Sequence, residues 1–219
     1  MTKEQGNKFD KEEVINKVTE FIENIIADIP LSKEKPSDDP EKRCRELISS
    51  AALRAAAVSG SLAIPPAAIG LLTILPDLVA IWRIQAQLVS DIAAAFDKGG
   101  DLDQRVMIYC LFRHAAAQAL RDILIRVGNR LIVKRSSLRV IQRILRQIGF
   151  KITQRIAGRA ASRWLPIVGA VGVAAYAYFD TAHVGKTAVN TFKKEIEFEG
   201  PKIAEKRHMV LVPQGAPVG

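Results

Sequence analysis

Apolar residues recur at the three- and four-residue spacing of an amphipathic helix from Val14 to Ile29, and Pro30 ends this first pattern. The spacing returns between later prolines, glycines and capping side chains, which delimit a series of helices. Aliphatic residues supply most apolar positions, since aromatic residues make up only 6% of the chain. The pattern predicts an all-α fold, one domain of about seven to nine helices with a flexible C-terminal tail. The predicted boundaries are Asp39-Pro40, Pro76-Asp77, Gly99-Gly100, Asp101 or Asp103, Gly128, Ser136 or Ser137, Gly149, Pro166 and Asp180.

Two long uncharged segments interrupt the amphipathic pattern. The first runs for 22 residues from Ala55 to Pro76, and its prolines and glycine favour a hairpin of short helices over a membrane-spanning rod. The second, Trp164 to Phe179, would extend about 22 Å as a helix, short of a bilayer core of about 30 Å. A buried helix or a re-entrant hairpin fits better. The residues predicted to form the core or to insert are Ile64, Ile69, Leu71, Leu72, Trp82, Trp164, Ile167, Val168, Val171, Tyr176 and Phe179.

These breaks divide the chain into three parts. Residues 1–39 form an amphipathic helix and a polar linker, 40–195 the helical domain, and 196–219 a tail rich in proline and glycine. Cys44 and Cys110 lie 66 residues apart with no Cys/His clustering, so the sequence indicates neither a disulfide framework nor a zinc site and favours a reducing compartment. The polar N-terminal segment does not have the pattern of a secretory signal. We therefore expect a location on the cytoplasmic side.

Positive charge is concentrated between Ile123 and Phe179, where eleven lysines or arginines occur without one aspartate or glutamate. The formal net charge of the chain is +9, so this region accounts for all of it. Helical spacing predicts three basic rows, one of them opposite an apolar face formed by Ile141, Ile144, Leu145 and Ile148. The residues predicted to bind an anionic surface are Arg126, Arg130, Lys134, Arg139, Arg143, Arg146, Lys151, Arg155, Arg159 and Arg163.

Like charges four residues apart destabilise an isolated helix, so the basic rows call for a compensating partner. Acidic residues of the N-terminal region, or water alone, would provide a purely structural answer. Anionic lipid would attract the same side chains, and the neighbouring apolar segments favour it over nucleic acid. Single-stranded nucleic acid binders usually interleave aromatic residues, whereas Phe150 is the only aromatic residue from Arg126 to Arg163.

Catalytic and metal-binding patterns are weak throughout. Gly185-Lys186-Thr187 resembles the end of a phosphate-binding loop but does not have the required earlier glycine. The three histidines, His114, His183 and His208, do not form a metal-ligand pattern. Asp77 and Asp180 each end an apolar run and are predicted to cap helices, although two such carboxylates could also meet as an acid-base pair. We expect no catalytic residues, no metal and no cofactor.

The motifs at the two uncharged segments resemble the EcsC protein family. Ile64-Pro65-Pro66 to Leu72, with Leu75-Pro76-Asp77, is similar to its first half, and Leu165-Pro166 to Gly172, with Asp180-Thr181, to its closing half. The resemblance implies a helical, membrane-associated bacterial protein without established catalytic activity, encoded in its founding case beside an ABC transporter. It implies structural roles for Pro65, Gly70, Pro76, Asp77, Pro166, Gly169, Gly172 and Asp180.

Together these patterns predict a non-enzymatic EcsC-like protein that binds the cytoplasmic face of the membrane peripherally. Basic helices would contact anionic lipids, and apolar hairpins would form the core or insert shallowly, in support of a transport or envelope-related process. Protein partners or self-association are further expectations, and no small-molecule substrate is indicated. The alternatives are a soluble protein interaction domain whose apolar segments are only core, and a nucleic-acid-binding protein.

Overall fold

The computed structural model describes residues 2–61, 75–160 and 165–200, with side chains described for 12–59, 76–114, 116–154 and 172–200. This part of the chain is mostly helical, so the predicted all-α class is confirmed. The α-helices are α1 Thr2–Ala27, α2 Pro40–Ser61, α3 Leu75–Ala95, α4 Gln104–Leu120, α5 Leu138–Ala160 and α6 Leu165–Phe192, with a short 3-10 helix at Gly99–Asp101. The strands are β1 Leu124–Val127, β2 Arg130–Val133 and β3 Glu195–Phe198.

Helices α3 and α4 form the middle of the molecule. Helix α2 packs against α3 and α6, while α1 packs mainly against α5, and α4 contacts α3, α5 and α6. Val14, Val18 and Ile22 of α1 are fully buried in the same core as residues of α3, α4 and α5. The apolar face predicted for the first helix is thus part of the main core.

Helices α2 and α6 run antiparallel in close contact. Three pairs of neighbouring residues show this direction, because the residue on α6 has a lower number as the residue on α2 has a higher one: Glu41 with Lys193, Ile48 with Gly185, and Ala55 with Ala177. A Cβ at Gly185 would lie 2.5 Å from Cγ1 of Ile48, so the helices could not approach this closely with a larger residue there. The apparent phosphate-loop glycine therefore has a packing role in the middle of a helix.

Helix α5 is continuous where the sequence predicts two helices separated at Gly149. The prediction was wrong because Gly149 is required for a helix crossing and not for a helix end. A Cβ there would lie 2.6 Å from Oγ1 of Thr19 and 3.2 Å from the carbonyl oxygen of Ile15, both on α1. The glycine lets α1 and α5 approach, which offsets its low helix propensity.

The predicted helical row of Arg126, Arg130 and Lys134 is wrong, because this segment forms an antiparallel hairpin. Gly128 has φ +55° and is the first of two residues between β1 and β2, a position that favours glycine in tight hairpin turns. Isoleucine, leucine and valine flank the turn and have high strand propensity. The preceding helix therefore ends at Leu120 and not near Gly128.

Strand β3 extends the hairpin to three strands in the order β1-β2-β3, pairing parallel to β2. It includes residues 196–198, which the sequence analysis assigned to the tail. Ile196 and Phe198 pack against the main core, so the C-terminal end of the helical region is fixed to the hairpin.

A buried arginine ties the sheet to the start of α4. The Arg105 side chain is 1% exposed and its Nε donates to Oδ2 of Asp103 at 2.7 Å, while Nη1 donates to the carbonyl oxygen of Lys134 at 2.8 Å. The guanidinium also lies 5.4 Å from the centre of the Phe198 ring. Asp103 caps α4 by accepting from the backbone of Arg105 and Val106, which confirms one of the two predicted caps.

Candidate functional site

The outer face of α5 combines positive charge with an exposed aromatic ring. Arg139, Arg143 and Arg146 are exposed, and the isoleucines and leucine predicted to lie opposite them are buried. Phe150 is 48% exposed and follows Arg146 by four residues. At about 100° per residue these four side chains share an arc of about 60°. We call Arg139, Arg143, Arg146 and Phe150 the α5 basic face.

Internal ion pairs neutralise part of the predicted basic region. Arg130 lies 3.0 Å from Glu197 and 3.5 Å from Glu195, so a strand of the sheet supplies its counter-charges. Arg146 lies 3.6 Å from Glu12 of α1, and both side chains are about two-thirds exposed. Within the described part of the chain, Arg139 and Arg143 form no ion pair. Among the described side chains, these two arginines are therefore the charges of the α5 basic face that no acidic residue neutralises.

The other predicted basic residues are dispersed. Arg126 is exposed on the edge strand β1, Lys134 follows β2 and gives its carbonyl oxygen to Arg105, and Lys151 is half-buried on α5. Arg155 and Arg159 belong to α5, but their side chains are not among those that the structure describes. Arg163 lies outside the described residues. Of the seven predicted residues whose side chains are described, the structure therefore brings three together on one exposed face.

The predicted apolar residues divide between core and surface. Trp82 is buried, with its ring perpendicular to that of Phe112 and 5.7 Å away, so it is a core residue. Tyr176 and Phe179 are exposed on α6. Ile167, Val168 and Val171 lie on α6 outside the described side chains, and five predictions fall outside the described residues: Ile64, Ile69, Leu71, Leu72 and Trp164.

The described residues of the predicted EcsC-like motif lie within the first eight residues of α3 or α6, with one exception. Pro76 and Asp77 are in the first turn of α3, and burial raises the pKa of Asp77 above its ordinary value of 3.8. Pro65 and Gly70 lie outside the described residues. In the second motif, α6 begins at Leu165 and includes Pro166, Gly169 and Gly172.

The exception is Asp180, which lies inside α6 and does not cap a helix as predicted. Its Oδ1 is 3.0 Å from Nε2 of His114 on α4, and its Oδ2 accepts a hydrogen bond from Gln85 of α3 at 2.9 Å. Gln85 also donates to the hydroxyl of Thr181 at 3.2 Å. The His183 ring stands at 72° to that of His114, with centres 5.7 Å apart.

Three helices thus converge on one carboxylate. Burial disfavours its charge, but the hydrogen bonds from His114 and Gln85 more than compensate and hold the pKa of Asp180 below 3.8. The sequence did not reveal His114 and Gln85 as partners of Asp180, because they come from distant segments. Nδ1 of His114 is buried without a hydrogen-bond partner in the described part of the chain. The arrangement joins α3, α4 and α6.

The described residues were compared with the requirements of a metal site and of a membrane-spanning helix. They contain no group of three or more histidine, cysteine, aspartate or glutamate side chains that could hold a metal ion. One helical segment, Pro76–Ala95, is long and apolar enough to cross a bilayer, and 56% of its most apolar window is buried in the protein. Core helices of globular proteins have the same length and composition.

Comparisons with protein-family models, curated proteins and solved structures find no match to the chain. The resemblance to the EcsC family remains a prediction that depends on the Pro- and Gly-bearing motifs of the sequence.

Proposed function

We propose that the protein binds anionic membrane surfaces peripherally through the α5 basic face. The observation that supports this most is the position of Phe150 within the same narrow arc as three exposed arginines, on a helix whose opposite face is buried. Arginines near an anionic bilayer gain about 1 kcal/mol each, and an exposed ring adds a contribution that salt does not screen. A helix anchored in the core presents these groups without further folding.

Co-flotation with vesicles tests this proposal. The full chain should float with phosphatidylcholine vesicles that contain phosphatidylglycerol, float less with phosphatidylcholine alone, and dissociate as salt rises. Replacing both Arg139 and Arg143 by glutamine should weaken binding by about tenfold or more, because two positive charges that would contact the anionic lipid are removed. The matched control is Arg121→Gln with Arg130→Gln, which makes the same charge change outside α5. Equal loss in both double variants would show a response to net charge alone and would contradict the proposal.

The broader proposal follows from the EcsC resemblance: a non-enzymatic protein on the cytoplasmic face of a bacterial membrane that supports transport or envelope processes. Cell fractionation provides its test. The chain should sediment with membranes and be released by high salt without detergent, as expected for a peripheral protein. Recovery in the soluble fraction at low salt would contradict it.

A soluble protein interaction domain is the second candidate. The pairing of Arg130 with two glutamates of β3 supports it, because such internal neutralisation needs no lipid. Under this alternative the chain does not float with anionic vesicles at low salt, and the arginine substitutions on α5 leave its distribution unchanged.

A further inference from the structure

A groove of about 450 Å³ lies between α2 and α6 and contains no residue of the α5 basic face. Its size falls within the range of about 300–1,000 Å³ that is common for small-molecule sites. Ile48, Phe179, Ala182 and Val189 give it an apolar lining, and Cys44 is buried beside it. Burial raises the pKa of the Cys44 thiol to about 11, so this part of the groove is neutral.

The charges that line the groove do not cancel. Glu41 forms an ion pair with Lys193 of α6 at 2.8 Å, which neutralises the only carboxylate among the described lining residues. Arg45 and Lys186 are exposed there, and neither forms an ion pair or hydrogen bond with the described residues. The neighbouring Arg43 is held by Glu34 and Glu46, so the local acids are already occupied. The groove is therefore cationic.

The antiparallel register separates these two cations from the aromatic part of the lining. Because Glu41 pairs with Lys193 and Ile48 lies against Gly185, Arg45 lies at the level of residues 186–190 on α6. Phe179 is seven residues before Lys186, or about 10 Å along the helix. Phe179 is 69% exposed, and the neighbouring Tyr178 also lines the groove. The two cations thus lie toward one end of the groove, and the aromatic Phe179 lies toward the other.

We propose that the α2–α6 groove binds a single-chain anionic lipid, a fatty carboxylate. Its carboxylate contacts Arg45 and Lys186, and its acyl chain lies along Ile48, Ala182 and Phe179. Charge complementarity sets the orientation: the anion pairs with the two uncompensated cations, and the chain removes exposed apolar surface from water. The proposal goes beyond vesicle binding by α5 and involves none of the same residues.

Titration calorimetry of the full chain with dodecanoate below its micelle concentration tests the proposal. Dodecanoate should bind at one site. Dodecanol, which has the alkyl chain without the charge, and inorganic phosphate, which has the charge without the chain, should each bind at least about tenfold more weakly. Replacing Arg45 and Lys186 by glutamine should weaken dodecanoate binding by about tenfold or more, because two charged hydrogen bonds are lost. The control double variant, Arg121→Gln with Arg130→Gln, should bind as the unchanged protein does.

A second variant fills the groove. Ala182→Phe should abolish dodecanoate binding while helical circular dichroism shows that the chain remains folded; if it fails to fold, the glutamine variants alone decide the matter. No binding of dodecanoate, equal binding by the Arg45 and Lys186 variant, or equal binding of inorganic phosphate would each overturn the proposal. Arg139→Gln with Arg143→Gln should leave dodecanoate binding unchanged. The experiments therefore test the two proposals independently: vesicle binding by α5 can be contradicted while dodecanoate binding in the groove is confirmed, or the other way round.

Discussion

Nε2 of His114 lies 3.0 Å from Oδ1 of Asp180 and thereby joins α4 to the middle of α6. The second carboxylate oxygen is held by Gln85 of α3, so one side chain connects three helices. A charged group that is mostly buried remains ionised here only because both oxygens have partners. The strength of this junction should therefore depend on the protonation of Asp180.

Replacing Asp180 by asparagine should lower the free energy of unfolding at neutral pH by about 1.5–3 kcal/mol, since hydrogen bonds to a charged group are lost. Folding lowers the pKa of Asp180 from its ordinary value of 3.8. Its contribution to the free energy of unfolding is therefore complete at pH values above 3.8 and is lost as the pH falls through the pKa of the folded state. Urea unfolding at pH near 7 and near 3 measures the difference. Exposed Asp122→Asn is the control, and a difference that stays constant with pH would contradict the mechanism.

Gly149→Ala should destabilise the protein although alanine is the better helix former. The new Cβ would meet the Thr19 hydroxyl at 2.6 Å, and that hydroxyl is fixed by a hydrogen bond of 2.7 Å to the carbonyl of Ile15. Overpacking of this kind costs about 1–3 kcal/mol, against a propensity gain of about 1 kcal/mol. Gly100→Ala, where a Cβ meets nothing within 4 Å, should change the unfolding free energy little. Equal effects of the two substitutions would contradict the close crossing.

The helical class and the buried faces of α1 and α5 could be predicted from the sequence, because apolar periodicity records which side of a helix faces the core. The same method failed at Gly128 and Gly149 for a shared reason. Glycine marks a turn, a helix end or a close helix contact, and only tertiary structure distinguishes them. The isoleucine, leucine and valine residues around Gly128 have high strand propensity. The four-residue spacing of the basic residues was instead interpreted as helical.

The candidate site was predictable only in part. Arg139, Arg143 and Arg146 follow from helical spacing within one segment, and the structure places them on one face. The partners of Arg130, by contrast, come from β3, and those of Asp180 from α3 and α4. Such pairings join residues separated by many positions along the chain, so local spacing carries no information about them.

Arg105→Met should lower the free energy of unfolding by about 3–5 kcal/mol. The substitution leaves the buried Asp103 carboxylate and the Lys134 carbonyl without their guanidinium donors. Chemical denaturation measures the loss, with exposed Arg121→Met as the control. The double variant Arg105→Met with Asp103→Asn should lose less unfolding free energy than the two single variants lose in sum, because Asp103→Asn removes the carboxylate charge that Arg105→Met leaves unpaired. Strict additivity would argue against a coupled pair.

The two cysteines should react slowly with a thiol reagent in the folded protein. Both are buried, and burial raises the pKa of Cys44 to about 11 and that of Cys110 to about 12, so few thiolates form at neutral pH. Reaction should accelerate in denaturant in parallel with loss of helical circular dichroism. Rapid modification of either thiol under native conditions would contradict its buried position. Dodecanoate, if it fills the groove beside Cys44, should slow modification of Cys44 further without affecting Cys110.

Phe150→Ala separates the apolar contribution of the α5 basic face from its charge. About half of the ring is exposed, so its insertion should supply roughly 1 kcal/mol, and its loss should weaken vesicle binding several-fold. Because apolar burial is not screened by ions, the slope of affinity against salt should stay that of the unchanged protein. The arginine substitutions should instead reduce that slope.

Phe179→Ala provides the control for this dissection, because Phe179 is an equally large exposed side chain on α6 outside the α5 basic face. If the bilayer contacts α5, Phe179→Ala leaves flotation with anionic vesicles unchanged while it weakens dodecanoate binding in the groove. A larger loss of flotation from Phe179→Ala than from Phe150→Ala would show that α6 is the membrane contact. The two aromatic substitutions therefore decide which helix faces the lipid.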